Sequence, residues 1–206
     1  MSYVPQLLVV AGVMLLACAS PGPDLIAVLS QALARRRAGL WLAAGIAVSH
    51  ALWATLAVFG LGLILSELAW LYAAIRIVGA LYLLYLGATM LLSLRRPPAE
   101  LAVAHGPERG PRAAFQRGLT VGLTNPKAAA FFGSLFVTIL PSHAPGWVHG
   151  ATVAIVALVS IAWFSSVALL FSTGRVQRGY ARLRRPIDAL AGSLLIALGA
   201  RLALDR

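Results

Sequence analysis

The chain predicts an all-α integral membrane protein: six transmembrane helices in two inverted three-helix repeats, with the first helix of each repeat broken at a proline motif. Three observations carry this. Of 206 residues, 60% are hydrophobic and 11% charged, with a mean hydropathy of +0.87, well outside the balance of a soluble domain. Short polar gaps divide the sequence into six apolar blocks, each near or above the ~20 residues that cross a hydrocarbon layer as a helix. Two proline motifs, PGPD at 21–24 and NPK at 125–127, interrupt the first block and the fourth.

The first block, Val4–Ala34, is long enough to bend at its motif. Its opening, Val9–Ala17 followed by Ala17-Cys18-Ala19, imitates a secretory signal. Met1–Gln6 lacks the Lys or Arg with which such signals begin, so the stretch reads as helix. Cys18, the single cysteine, has no internal disulfide partner and reads as a small packing residue. Leu40–Leu65 and Leu68–Leu94 complete a first repeat over 1–94. RRPPAELAVAHGPERGPR, 95–112, is a solvated linker by its prolines, glycines and charges. Ala113–Leu140, Trp147–Phe171 and Ile187–Leu204 form a second repeat over 113–206, making one transmembrane domain.

Basic residues set the orientation. Arg35–Arg37 fill the first gap; Arg95, Arg96, Arg109, Arg112 and Arg117 flank the third; the Arg175–Arg185 loop holds five more, giving 13 of the 17. SELAW in the second gap and PSHAPGWVH in the fourth have neither Lys nor Arg. The basic gaps are therefore expected in the cytoplasm and both termini on the periplasmic side, unless the first block re-enters, which moves the N-terminus inside. The net charge of +11 does not indicate nucleic acid, because these residues sit between apolar runs and not on a soluble surface.

Lys127 is the only lysine beside 16 arginines. An ammonium can release a proton where a guanidinium effectively cannot. Aligning Pro23 with Pro126 sets Asp24 opposite Lys127. Three helices per half invert the second repeat, and matching interrupted helices in inverted halves point to a transporter's binding site. Asp or Lys at the bilayer centre costs ~3 kcal/mol on insertion scales, so such charges pair and serve a function. Asp24 and Lys127 are expected to neutralise one another across the two breaks.

The runs PGPDLIAVLSQALARRRAGLWLAAGIAVSH (21–50), GLTVGLTNPKAAAFF (118–132) and IRIVGALYLLYLGATML (75–91) resemble the LysE/RhtB family of amino-acid exporters, over nearly the whole chain and in order. The resemblance implies a bacterial inner-membrane carrier that exports an amino acid in exchange for protons. It maps the helix-break motif onto Pro21, Gly22, Pro23 and Asp24, and the second motif onto Asn125, Pro126 and Lys127. Arg76 matches the basic residue often carried early in the family's third helix. The linker departs from the pattern, and no regulatory role is carried over to it.

His50, inside the second block, is a candidate proton relay; a packing role for it is equally compatible with the sequence. His105, His143 and His149 are scattered in the linker or near interfaces, and no cluster has metal-ligand spacing, so neither a metal site nor a cofactor is expected. Asp188 reads as peripheral. Glycines such as Gly39, Gly45, Gly60, Gly62, Gly79 and Gly87 suit close helix approach, and several tryptophans near block ends suit interfacial anchoring. The absence of a nucleotide-binding pattern or a nucleophile–base constellation argues against an enzyme. The expected partners are an amino acid, protons and the bilayer, with no nucleic acid, and a homodimer is allowed. Competing readings are a cation or metal exporter of the same shape and a non-transporting scaffold.

Overall fold

Proline and glycine divide the apolar chain where the sequence places them. The structure, a computed structural model, describes residues 3–67, 69–94, 110–139, 144–170 and 174–204. Among the described residues every regular element is an α-helix: α1 Val4–Ala19, α2 Pro23–Ala34, α3 Arg36–Glu67, α4 Ala69–Ser93, α5 Pro111–Leu123, α6 Pro126–Ile139, α7 Gly146–Leu170 and α8 Gly174–Leu204. Arg36–Phe59, Gly146–Leu170 and Arg185–Leu204 are long and apolar enough to cross a membrane, and α1 with α2 qualifies as a fourth span bent by 59°. The exterior carries large apolar side chains, including Leu8, Leu56, Val78, Tyr85, Leu158 and Leu190. That is the expected surface of a multi-pass protein whose solvent is lipid.

Both prolines start a helix. Gly22 and Asn125 precede α2 and α6, with Pro23 and Pro126 at the first helical position. There the missing amide is no loss and the fixed φ suits the helix. The backbone resumes with Ile26 donating to the Gly22 carbonyl and Ala129 to the Asn125 carbonyl, each at 3.0 Å. Asp24 thus falls in the first turn of α2, where the helix dipole favours negative charge.

Small residues set the packing. α3 crosses α5 with Gly45 against the backbone at Phe115 and Gly118, and Gly118 against the Leu42 carbonyl. α4 crosses α8 at Gly87 and Gly192, where a Cβ on Gly87 would lie 2.6 Å from the Gly192 carbonyl oxygen. Gly39 meets Ala32 of α2 in the same manner. α7 lies against α3 and α1. The half-buried Trp53 of α3 donates to the Gly122 carbonyl at 3.2 Å, fastening α5 just before its break.

Three boundaries differ from expectation. The stretch 175–185, expected as a loop, is helical and forms the start of α8, with Pro186 inside the helix. Arginine is a good helix former, so a run of charge ended the apolar block without ending the helix. The second gap narrows, since α3 reaches Glu67 and α4 starts at Ala69. Of the linker, 95–109 lie outside the described residues, and Pro111 and Arg112 already belong to α5.

Candidate functional site

The two breaks converge on one buried cavity. Gly22, Asp24 and Leu25 from the start of α2 line it together with Asn125, Lys127 and Ala128 from the start of α6. α3 adds His50, and α1 adds Met14, Ala17 and Cys18. Asp24 is 8% exposed and His50 4%, so these buried polar groups require hydrogen-bond partners inside the fold.

Asn125 joins the two breaks. Its Oδ1 accepts from the Lys127 amide at 2.9 Å, capping α6, and its Nδ2 donates to Asp24 Oδ2 at 2.7 Å. His50 Nε2 donates to the same oxygen at 3.2 Å. A neutral His50 then leaves Nδ1 to accept from the Ser160 hydroxyl, 3.0 Å away. Phe132 and Phe164 pack against the ring in tilted contacts, with centroids at 5.5 and 5.9 Å. Asp24 Oδ1 is buried without a hydrogen-bond partner among the described residues. One carboxylate oxygen is saturated and the other is free.

Lys127 does not pair with Asp24. Its ammonium donates to Ser20 Oγ at 2.9 Å and reaches the Ala17 and Ser20 carbonyls at 3.3 and 3.4 Å. No Asp24–Lys127 ion pair forms among the described residues, which corrects the expected neutralisation across the breaks. The physical reason lies in the first break itself. Ending α1 at Ala19 frees its last carbonyls, and a cation at a helix C-terminus is favoured by the same dipole that favours Asp24 at the start of α2. The side chain passes beside Gly22, where a Cβ would lie 3.4 Å from Lys127 Cδ and 3.5 Å from Nζ.

Gly22 and Lys127 also line a second space, an open vestibule bounded by Pro21, Pro23, Thr89, Ser93 and Asp188. The two spaces differ greatly in size. The inner cavity has a free volume of about 30 Å³ and the vestibule about 380 Å³. Asp188, read from the sequence as peripheral, is 3% exposed and stands in this vestibule.

The structure therefore gathers Asp24, Asn125, Lys127 and His50, with the prolines framing them. Arg76 lies in α4, and its side chain is outside the described residues. Cys18 is buried, as expected of a packing residue, but against this cavity. Sequence reasoning missed Ser20 and Ser160. A signal for Ser160 existed: Thr152, Val156, Ser160 and Phe164 recur every four residues and are all buried, so two hydroxyls mark the inward face of an otherwise apolar helix.

Membrane-length helices, an apolar exterior and unlike charges buried at two helix breaks define an integral membrane transport protein. The chain belongs to the family of LysE type translocators, whose family model matches residues 14–206, and it is a transporter and not an enzyme. It is 35% identical to the threonine efflux protein of Escherichia coli (strain K12) over 201 residues, 97% of this chain and 98% of that protein. The threonine efflux protein of Salmonella typhi is similarly 35% identical over 199 residues, 96% of this chain and 97% of that one. The leucine efflux protein of Salmonella choleraesuis (strain SC-B67) is 33% identical over 193 residues, covering 89% of this chain and 87% of the relative. No solved structure matches the chain.

Proposed function

We propose that this protein exports an amino acid from the bacterial cytoplasm across the inner membrane in exchange for protons. In this reading two inverted three-helix halves, 1–94 and 113–206, alternate access around the breaks. The basic segments face the cytoplasm and the termini the periplasm. The observation that carries the proposal is the cavity where the breaks meet, with a half-satisfied carboxylate and an ammonium held by hydroxyl and carbonyl oxygens. Relatives named for threonine and leucine efflux support the substrate class.

Asp24 is the proton site. Its Oδ2 is occupied by Asn125 and His50, so a proton arrives at Oδ1. A cavity of about 30 Å³ has room for about one or two waters to deliver it. His50, backed by Ser160, holds the carboxylate and supplies an alternative proton position. Lys127 is the substrate's carboxylate partner. Leaving the α1 carbonyls for a substrate exchanges neutral acceptors for a charged one, which binds an ammonium more strongly. Protonation of Asp24 removes the nearby negative charge that competes with the substrate's own carboxylate, linking the two binding events.

The test is efflux of labelled L-threonine and L-leucine from proteoliposomes containing the purified protein, with and without an imposed proton gradient. Efflux accelerated by protons moving the opposite way is expected. Absence of efflux for both, or efflux indifferent to the gradient, contradicts the proposal.

A further inference from the structure

The ammonium of Lys127 rests in a seat that the end of α1 builds. A helical carbonyl is normally taken by the amide four residues further on. For Ala17 that residue is Pro21, which has no N–H, so the Ala17 carbonyl must find its donor elsewhere. The Ser20 carbonyl lies just past the end of the helix, where carbonyls are open to outside donors. The third oxygen is Ser20 Oγ. Its own proton is directed to Met90 Sδ at 3.7 Å, which leaves a lone pair for the cation. Lys127 Nζ meets the Ala17 carbonyl, the Ser20 carbonyl and Ser20 Oγ at 3.3, 3.4 and 2.9 Å. Three acceptors thus face a group with three N–H donors. Ser20 is 3% exposed, and buried acceptors are costly to leave without a donor.

When Lys127 leaves this seat to bind a substrate carboxylate, it strips those oxygens of their donor. An α-amino acid carries its ammonium on the same carbon as its carboxylate, so the substrate brings a replacement to the place just vacated. Lys127 has somewhere to go: its side chain runs beside Gly22 and lines the vestibule of about 380 Å³, a volume within the ~300–1,000 Å³ of small-molecule sites. Asp24 Oδ1 is a poorer partner for the ammonium. It lies in a cavity of about 30 Å³, which takes about one or two waters but not an amino group with its carbon and carboxylate. Resting on the amino-acid export reading, we infer that the end of α1 is the site for the substrate's ammonium, formed by the Ala17 and Ser20 carbonyls and Ser20 Oγ, and that Lys127 is its occupant in the empty protein. The substrate class is then a primary α-amino acid. A secondary ammonium has one N–H too few and an α-hydroxy acid has no charge to offer, so each leaves buried oxygens unfilled and is rejected.

The test measures ligand affinities of the purified protein in detergent, from the rise of its thermal midpoint with ligand concentration. The ligands are L-threonine or L-leucine, whichever the efflux assay shows to be exported, its N-methyl derivative and its α-hydroxy acid counterpart. In the wild type both analogues are expected to bind at least tenfold more weakly than the amino acid. In Ser20→Ala the readout is the ratio of affinities, because Oγ has a partner in the empty protein as well. That ratio is expected to fall at least threefold for each analogue, since the variant removes an oxygen that only the primary ammonium fills. A serine that merely holds Lys127 would shift all three affinities together, so unchanged ratios overturn the assignment. Equal binding of the amino acid and its N-methyl derivative to the wild type also overturns it, and this comparison decides alone if Ser20→Ala does not fold. Ratios that collapse in Asp24→Asn but not in Ser20→Ala would give the ammonium to Asp24 instead. Efflux of an amino acid that binds no better than its N-methyl derivative would refute the seat and leave the export reading standing; absence of efflux and of binding for both threonine and leucine would bring down the two together.

Discussion

Asn125 makes two hydrogen bonds that different substitutions separate. Oδ1 caps α6 at the Lys127 amide, and Nδ2 reaches Asp24. Asn125→Ala deletes both. An N-cap contributes ~1 kcal/mol and a hydrogen bond to a charged group ~1.5–3 kcal/mol, so the variant should lose about 2.5–4 kcal/mol. Asn125→Ser restores the cap but is too short for Asp24, leaving a loss of ~1.5–3 kcal/mol. Asn125→Asp keeps an acceptor for the cap and sets a second carboxylate where the amide donated. Two carboxylates this close repel one another, which removes the donor from Asp24 Oδ2 and disrupts the proton site, so efflux should lose its normal response to the proton gradient. The assays are denaturation of the purified variants in detergent and gradient-driven threonine efflux from proteoliposomes. Alanine and serine variants both within ~0.5 kcal/mol of wild type would refute the energetic reasoning, since changes of that size are ordinary for uninvolved surface sites. An aspartate variant with normal gradient-dependent efflux would refute the role given to the Asp24 contact.

Three further outcomes follow from the same geometry. Lys127→Arg keeps the charge but places a planar fork where a compact ammonium meets Ser20 and two carbonyls beside Gly22, so efflux should fall at least tenfold at equal membrane abundance; wild-type efflux would refute it. Because Asp24 and Lys127 have separate partners, a double-mutant cycle of Asp24→Asn and Lys127→Met in detergent should show a stability coupling below about 1 kcal/mol. A coupling near the ~3–5 kcal/mol typical of a broken buried pair would restore the direct ion pair. Gly45→Ala drives a Cβ into the α5 backbone and should cost about 1–3 kcal/mol with reduced abundance, whereas Gly12→Ala, with nothing within 4 Å, should be silent; equal behaviour of the two would contradict the α3–α5 crossing.

The helix breaks were legible in the sequence because proline acts locally. Whatever the tertiary contacts, Pro23 and Pro126 cannot sit in mid-helix without cost, and as first residues of α2 and α6 they cost nothing. The apolar blocks were legible for the same local reason, although their ends were not. Arginine both ends an apolar run and continues a helix, so α8 begins at Gly174, well before its apolar part. The partners of the buried charges were hidden. Which acceptors Lys127 meets depends on carbonyls that exist only once α1 has ended at Ala19, and unlike charges at matching positions suggested a simpler pairing. Asp188 was misjudged because burial is a tertiary property: α8 packs on α4 and α6, helices far away in the chain, and Asp188 is 3% exposed in the folded bundle.

The central claim is that Asp24 carries the proton that is exchanged for an amino acid. Its most direct test counts both species at once in proteoliposomes loaded with labelled L-threonine, with a pH-sensitive dye trapped inside. Threonine leaving down its gradient should acidify the lumen in wild type, in fixed proportion to the threonine lost. In Asp24→Asn the dye signal should vanish, whether or not threonine still leaks out. Wild-type efflux without a pH change, or acidification that persists in Asp24→Asn, would contradict the account.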